Sequence, residues 1–142
     1  MKKSLTALAM MLAATMGAGI AAAQSAAPLD LRGVWTGTSE AIVRGHPPHH
    51  VGATGTAHRL DNVLFTITIT GQDDRRFWGT AEGAGTKEPI TGVIGYDGKT
   101  IVAEDTDGVT HGNIIDADTI EVIYENIGKS TVMAVNRWKR QK

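Results

Sequence analysis

The chain has 142 residues, with 14 Lys and Arg, 15 Asp and Glu and a formal net charge of −1. That length suits one domain around one core, and a charge so near balance argues against nucleic acid as a partner, since neutralising phosphates takes a clustered basic surface. It contains no cysteine, which excludes disulfides, thiol chemistry and a lipid-modified N-terminal cysteine.

Lys2 and Lys3 precede an uncharged, Ala-rich run from Leu5 to Ala23 that closes on Ala21-Ala22-Ala23. A charged start, an apolar centre and a small-residue end describe a secretory signal peptide over residues 1–23, cut before Gln24. The expected product is periplasmic or secreted and keeps no stable membrane anchor after processing. Losing Lys2 and Lys3 takes 14 basic residues to 12 against 15 acidic ones, a charge of −3. Residues 24–30 are small, polar and Pro-containing and read as a disordered leader, with the folded domain at 31–142.

The first strand runs from Leu31 to Val43, where Gly33 and Gly37 suggest bending or close approach of another backbone. Arg44 to Asp61 breaks the pattern with Gly45, Pro47, Pro48, Gly52 and Gly55, and this long loop carries four of the five histidines. Val63, Phe65, Ile67 and Ile69 then share one face of an extended strand, with Leu64, Thr66, Thr68 and Thr70 on the other. Gly71 to Asp74 supplies turn chemistry, and Arg75 to Gly83 is the returning strand. Further strands follow at about Glu88–Tyr96, Lys99–Glu104, Gly108–Ile115, Thr119–Asn126 and Ser130–Trp138. Asp97-Gly98 is a strong two-residue hairpin turn. Eight strands joined by links too short for parallel crossovers predict an all-β, eight-stranded antiparallel up-and-down β-barrel. A two-sheet sandwich is the runner-up, but its Greek-key links would need another long connection.

Gly33-Val34-Trp35 on the first strand of such a meander resembles the Gly-x-Trp opening of the calycin barrels, the lipocalins and avidins. The resemblance implies that Trp35 sits at a closed barrel end with a late arginine, Arg137 or Arg140, packed across it. The run from Phe65 to Gln141 also resembles small exported bacterial proteins of uncharacterised role. The avidin likeness stops at the ligand: Gly37 and Ala41 stand where avidins carry an Asn and a Ser that bind biotin, and no later pair of tryptophans matches their pocket.

In a meander the links alternate between ends, so the long loop shares its end with Gly83–Lys87, Asp105–Asp107 and Ile127–Lys129. That end reads as the mouth and the loop as its lid. His46-Pro47-Pro48-His49-His50 could ligate Zn or Cu together with His111, although adjacent His49 and His50 point apart in an extended chain, and solvated loop histidines are the plainer reading. Trp78, Tyr96, Tyr124 and His111 are candidate ligand contacts. Phe77 and Trp78 face opposite ways, and parity alone does not say which is inside. No nucleophile, base and orienting group stand together, which argues against catalysis. The expectation is therefore a non-catalytic exported barrel binding a small ligand at its lid end. Alternatives are divalent-metal binding by the His-rich loop, and a protein-interaction or inhibitor module.

Overall fold

The computed structural model describes residues 27–142. The expected signal peptide lies outside the described residues. Eight strands follow in order: β1 Gly33–Arg44, β2 Arg59–Asp73, β3 Arg76–Gly83, β4 Thr86–Ile94, β5 Thr100–Glu104, β6 Val109–Asp116, β7 Thr119–Ile127 and β8 Thr131–Arg140. Each pairs antiparallel with the next, and β8 returns to β1, closing the barrel. None of the described residues lies in a helix.

Alternation explains the wall. Trp35, Ser39, Ala41 and Val43 of β1 are buried, as are Ile67 and Ile69 of β2, while Leu60, Leu64 and Thr70 between them are exposed. A bulge between Ile69 and Gly71 bends β2 where Trp78 crosses it. The indole lies outside the barrel on Gly71, where a Cβ would stand 2.2 Å from the ring. Phe77 therefore faces inward, 2% exposed, against Gly92 on β4. Among the links, Asp97 accepts the amides of Lys99 and Thr100 at 2.9 Å each and the Thr100 hydroxyl at 2.5 Å.

Those bonds, the Thr100 hydroxyl first, hold the Asp97 carboxyl down to about 2. A depressed folded value contributes stability above the unfolded value of 3.8, which is lost as pH falls through about 2. The stability difference between the native chain and Asp97→Ala should therefore shrink as pH is lowered from 4 to 2, read by urea denaturation at each pH.

One end is shut by the chain's own start. Leu31 is 1% exposed and Leu29 packs on the same core. The Gln72 side chain ties both down, accepting the Leu31 amide at 2.7 Å and donating to the Leu29 carbonyl at 2.9 Å. Within the described part of the expected leader, Leu29 is thus held against the barrel by its packing and by the Gln72 amide. Trp35 is fully buried there and donates its indole N–H to the Leu31 carbonyl at 2.9 Å.

Of the two candidate arginines, Arg140 covers this tryptophan. Its guanidinium stands 4.1 Å from the ring centroid and donates to the carbonyls of Arg32 and Asp30 at 2.8 Å and of Ala117 at 3.0 Å. Gly33 adopts φ +128°, a backbone glycine alone takes without strain, beside that guanidinium. Arg137, expected at the closed end, instead points outward and pairs with Glu121 through Nε at 2.8 Å and Nη2 at 2.6 Å. The reason is parity: Trp138 beside it is buried, so Arg137 falls on the outer face.

Candidate functional site: a lidded cavity at the barrel mouth

The link between β1 and β2 folds over the opposite end. Gly45, Gly52 and Gly55 all have positive φ, which lets the loop reverse repeatedly. Gly45 N–H bonds Gly55 O at 2.9 Å, His50 N–H bonds Pro47 O at 3.1 Å, and Ala53 N–H bonds His50 O at 3.2 Å. Pro47 and Ala53 are buried, and Ala53 joins a small apolar cluster with Ala41, Val43, Val132 and Ala134. The loop is anchored to neighbouring links by His46 N–H to Ser130 Oγ at 2.9 Å and by Thr86 Oγ1 to Pro48 O at 3.3 Å.

Two histidines hold the lid from beneath. His49 is 6% exposed, with Nδ1 2.9 Å from the Gly83 carbonyl and Nε2 2.9 Å from Glu88 Oε2. A carbonyl only accepts, so Nδ1 carries the proton; Nε2 and the Glu88 carboxyl then share one more, as imidazolium and carboxylate or as imidazole and carboxylic acid. Glu88 is itself 9% exposed, so neither partner has water as an easy substitute. His50, 4% exposed, bonds Asp61 Oδ2 at 2.9 Å, and the same carboxylate oxygen accepts from Arg59 Nη2 at 2.9 Å.

Beneath the lid lies a cavity of about 60 Å³ lined by Pro47, Pro48, His49 and His50 above and by the inner faces of the strands below. Phe65, Ile67, Ala81, Ile90 and Ala103, from β2 to β5 in order, make one wall apolar. Ser39, Thr110, Tyr124, Asn126 and Asn136, from β1, β6, β7 and β8, bring polar groups to the other, among Val122, Val132, Ala134 and Trp138. The cavity volume is well below the about 150 Å³ of an apolar cavity that admits benzene, so a ring-sized ligand needs the lid to move.

The rim is acidic, with Glu104 at the end of β5 and Asp105 and Asp107 on the β5–β6 link. Tyr124 OH donates to Asp105 Oδ1 at 3.3 Å, and that oxygen also accepts the amides of Asp107 and Gly108. Burial first, and the Asp105 charge second, push the Tyr124 phenol well above its usual value. It therefore stays a neutral donor at any physiological pH.

Of the candidate ligand contacts, only Tyr124 lines this cavity. Trp78 is on the outer wall and 46% exposed, and Tyr96 sits in the β4–β5 link, 91% exposed, with Arg75 5.3 Å from its ring. His111 points outward from β6, its Nε2 3.3 Å from Glu125 Oε1. The structure does not bring His46, His49, His50 and His111 together. His46 is exposed, His111 is outside the wall, and both ring nitrogens of His49 are engaged by Gly83 and Glu88. Among the described residues no three His, Cys, Asp or Glu are placed to hold a metal ion. Sequence reasoning missed Glu88, Asn126 and Asn136. Their positions in phase with Ile90, Val122 and Ala134 were the available signal. Comparison with protein-family models, with curated proteins and with solved structures gives no significant match.

Proposed function

We propose that the chain is a non-catalytic, exported β-barrel that takes a small ligand at its lid end, as calycin barrels do. The observation that carries this reading is the lid itself: Pro47 to His50 cap a mostly apolar space into which β1, β6, β7 and β8 bring a few hydrogen-bonding groups. Binding sites for small molecules have this composition, an apolar body with a few placed polar groups. The calycin likeness draws support from the Gly33-Val34-Trp35 opening and from Arg140 stacked on Trp35. The apolar run at residues 5–23 supports export.

A second reading, association through the wall, has its own support. Val93, Val102, Ile123 and Val135 form an outward row, with His111 between Val102 and Ile123, each opposite the next across the ladders from β4 to β8. They are 37–53% exposed. Contiguous exposed apolar surface of this kind favours a protein partner.

Native mass spectrometry of tag-free protein purified from the periplasm or medium tests both. The expected result is the processed barrel carrying a small-molecule mass that leaves on collisional heating. Processed barrel with no added mass from any growth condition would overturn the ligand reading, and a stoichiometric second protein or copy would favour the wall.

A further inference from the structure

The β1–β8 seam is not fully zipped. Backbone pairing runs Trp35 with Arg140 and Thr36 with Lys139, then resumes in the same register at Glu40 with Val135. Gly37–Ser39 and Asn136–Trp138 between them have no ladder pairs, so Ser39 and Asn136 face each other across the gap. The Asn136 side chain fills it: Nδ2 donates to the Gly37 carbonyl at 3.3 Å, and Oδ1 lies where a Gly37 side chain would begin, 2.2 Å from a Cβ built there. Gly37 is in phase with buried Trp35 and Ser39, so that oxygen is on the inner side of the wall. Because the Gly37 carbonyl only accepts, the amide cannot be turned the other way round.

This leaves two polar groups without protein partners at one place. Asn136 Oδ1 is buried and accepts no hydrogen bond. Ser39 is 3% exposed, lines the cavity and makes no side-chain hydrogen bond. Buried polar groups without partners are rare and destabilising, so a pair of them at the wall of a cavity asks for a third group between. Asn136 Oδ1 is an acceptor only, which fixes the chemistry of that group: it must donate.

We propose that Ser39 and Asn136 form a polar anchor that takes an N–H or O–H donor at the tip of a small, otherwise apolar ligand. The inference rests on the ligand-binding reading above and adds the ligand's class. The donor enters the cavity against β1 and β8, and the apolar body lies toward Phe65 and Ile90 in the space under a lifted lid. Tyr124, already donating to Asp105, and the acidic rim add no competing cation.

Phenol and toluene, one ring with and without a donor, separate the possibilities. The hydroxyl costs about 1–3 kcal/mol to desolvate without a partner, so a cavity lacking an anchor prefers toluene. The anchor reverses that order. Methyl chemical-shift titrations of Val122, Val132 and Ala134 should give phenol a Kd at least about tenfold below that of toluene, with Asn136→Ala abolishing the difference while toluene binds as before. Ser39→Ala, which leaves the Asn136 acceptor in place, should narrow the difference, and the order of the two rings in the native protein decides if Asn136→Ala does not fold. Toluene binding equally or better in the native protein overturns the anchor and leaves the ligand reading standing. Binding of neither ring at millimolar concentration, the polar wall holding water only, overturns both.

Discussion

Replacing Trp35 by alanine should lower the unfolding free energy by about 4 kcal/mol, the usual cost of truncating a fully buried tryptophan. The indole is 0% exposed, fills the closed end beside Leu31 and supplies the donor for the Leu31 carbonyl. Its loss opens a cavity under the Arg140 guanidinium and leaves that carbonyl unpaired. Trp35→Phe keeps most of the volume but not the N–H, and should cost about half as much. Arg140→Ala removes three bonds to the carbonyls of Asp30, Arg32 and Ala117 as well as the stacking, and should cost about 2 kcal/mol. Arg137→Ala, an exposed pair partner of Glu121, should change stability by no more than about 0.5 kcal/mol. Urea denaturation of the four variants checks the series. Equal losses for Arg137→Ala and Arg140→Ala would mean that the clamp over Trp35 does not hold the closed end.

Why one arginine and not the other was hard to read shows where sequence patterns stop. The barrel itself was legible, because Val63, Phe65, Ile67 and Ile69 alternate with threonines and Leu64, and Asp97-Gly98 marks a turn that permits only an antiparallel neighbour. Alternation fails where both faces are apolar. On β7 Val122 and Ile123 and on β8 the run Val132 to Val135 carry apolar side chains inside and out, since Ile123, Met133 and Val135 are exposed. Parity there is set by neighbouring strands, and with it the inward turn of Tyr124, Asn126 and Asn136 and the outward turn of Arg137. The end of β8 was also read two residues short, at Trp138 rather than Arg140.

The lid posed a different difficulty. Adjacent His49 and His50 lie in a turn closed by His50 N–H to Pro47 O rather than in extended chain, and each finds a separate partner across the mouth. In the sequence Glu88 reads as the first residue of a strand ahead of Pro89, where a carboxylate looks solvated, whereas β4 begins at Thr86. Glu88 is buried only because a loop from 39 residues earlier in the chain lies over it. Nothing in a one-dimensional pattern couples those positions.

That coupling should be measurable. Changing His49 to alanine leaves the Glu88 carboxyl and the Gly83 carbonyl buried without their partner, and breaking a buried pair from one side costs about 3 kcal/mol. The cost falls on closure of the loop rather than on the barrel, whose strands remain paired to each other on both sides. Amide exchange at Gly45, His50 and Ala53, which bond within the loop, should therefore accelerate about a hundredfold, while exchange in β3 and β7 changes little. Glu88→Ala should act similarly, because Nε2 loses its counterpart. Glu88→Gln should act less, since a carboxamide can donate to the Nε2 lone pair of a histidine whose Nδ1 proton is committed to Gly83. Removing both polar partners at once, with His49→Phe and Glu88→Leu, leaves no orphaned group and keeps the ring beside Phe65, now 5.1 Å from the imidazole. That pair should close the loop nearly as well as the native chain. If instead the double variant opens as far as His49→Ala, the polar pair itself is the latch and apolar packing does not replace it. If it closes, the single variants lose stability through an orphaned group, and the packing of Pro47 and Ala53 is enough to hold the lid.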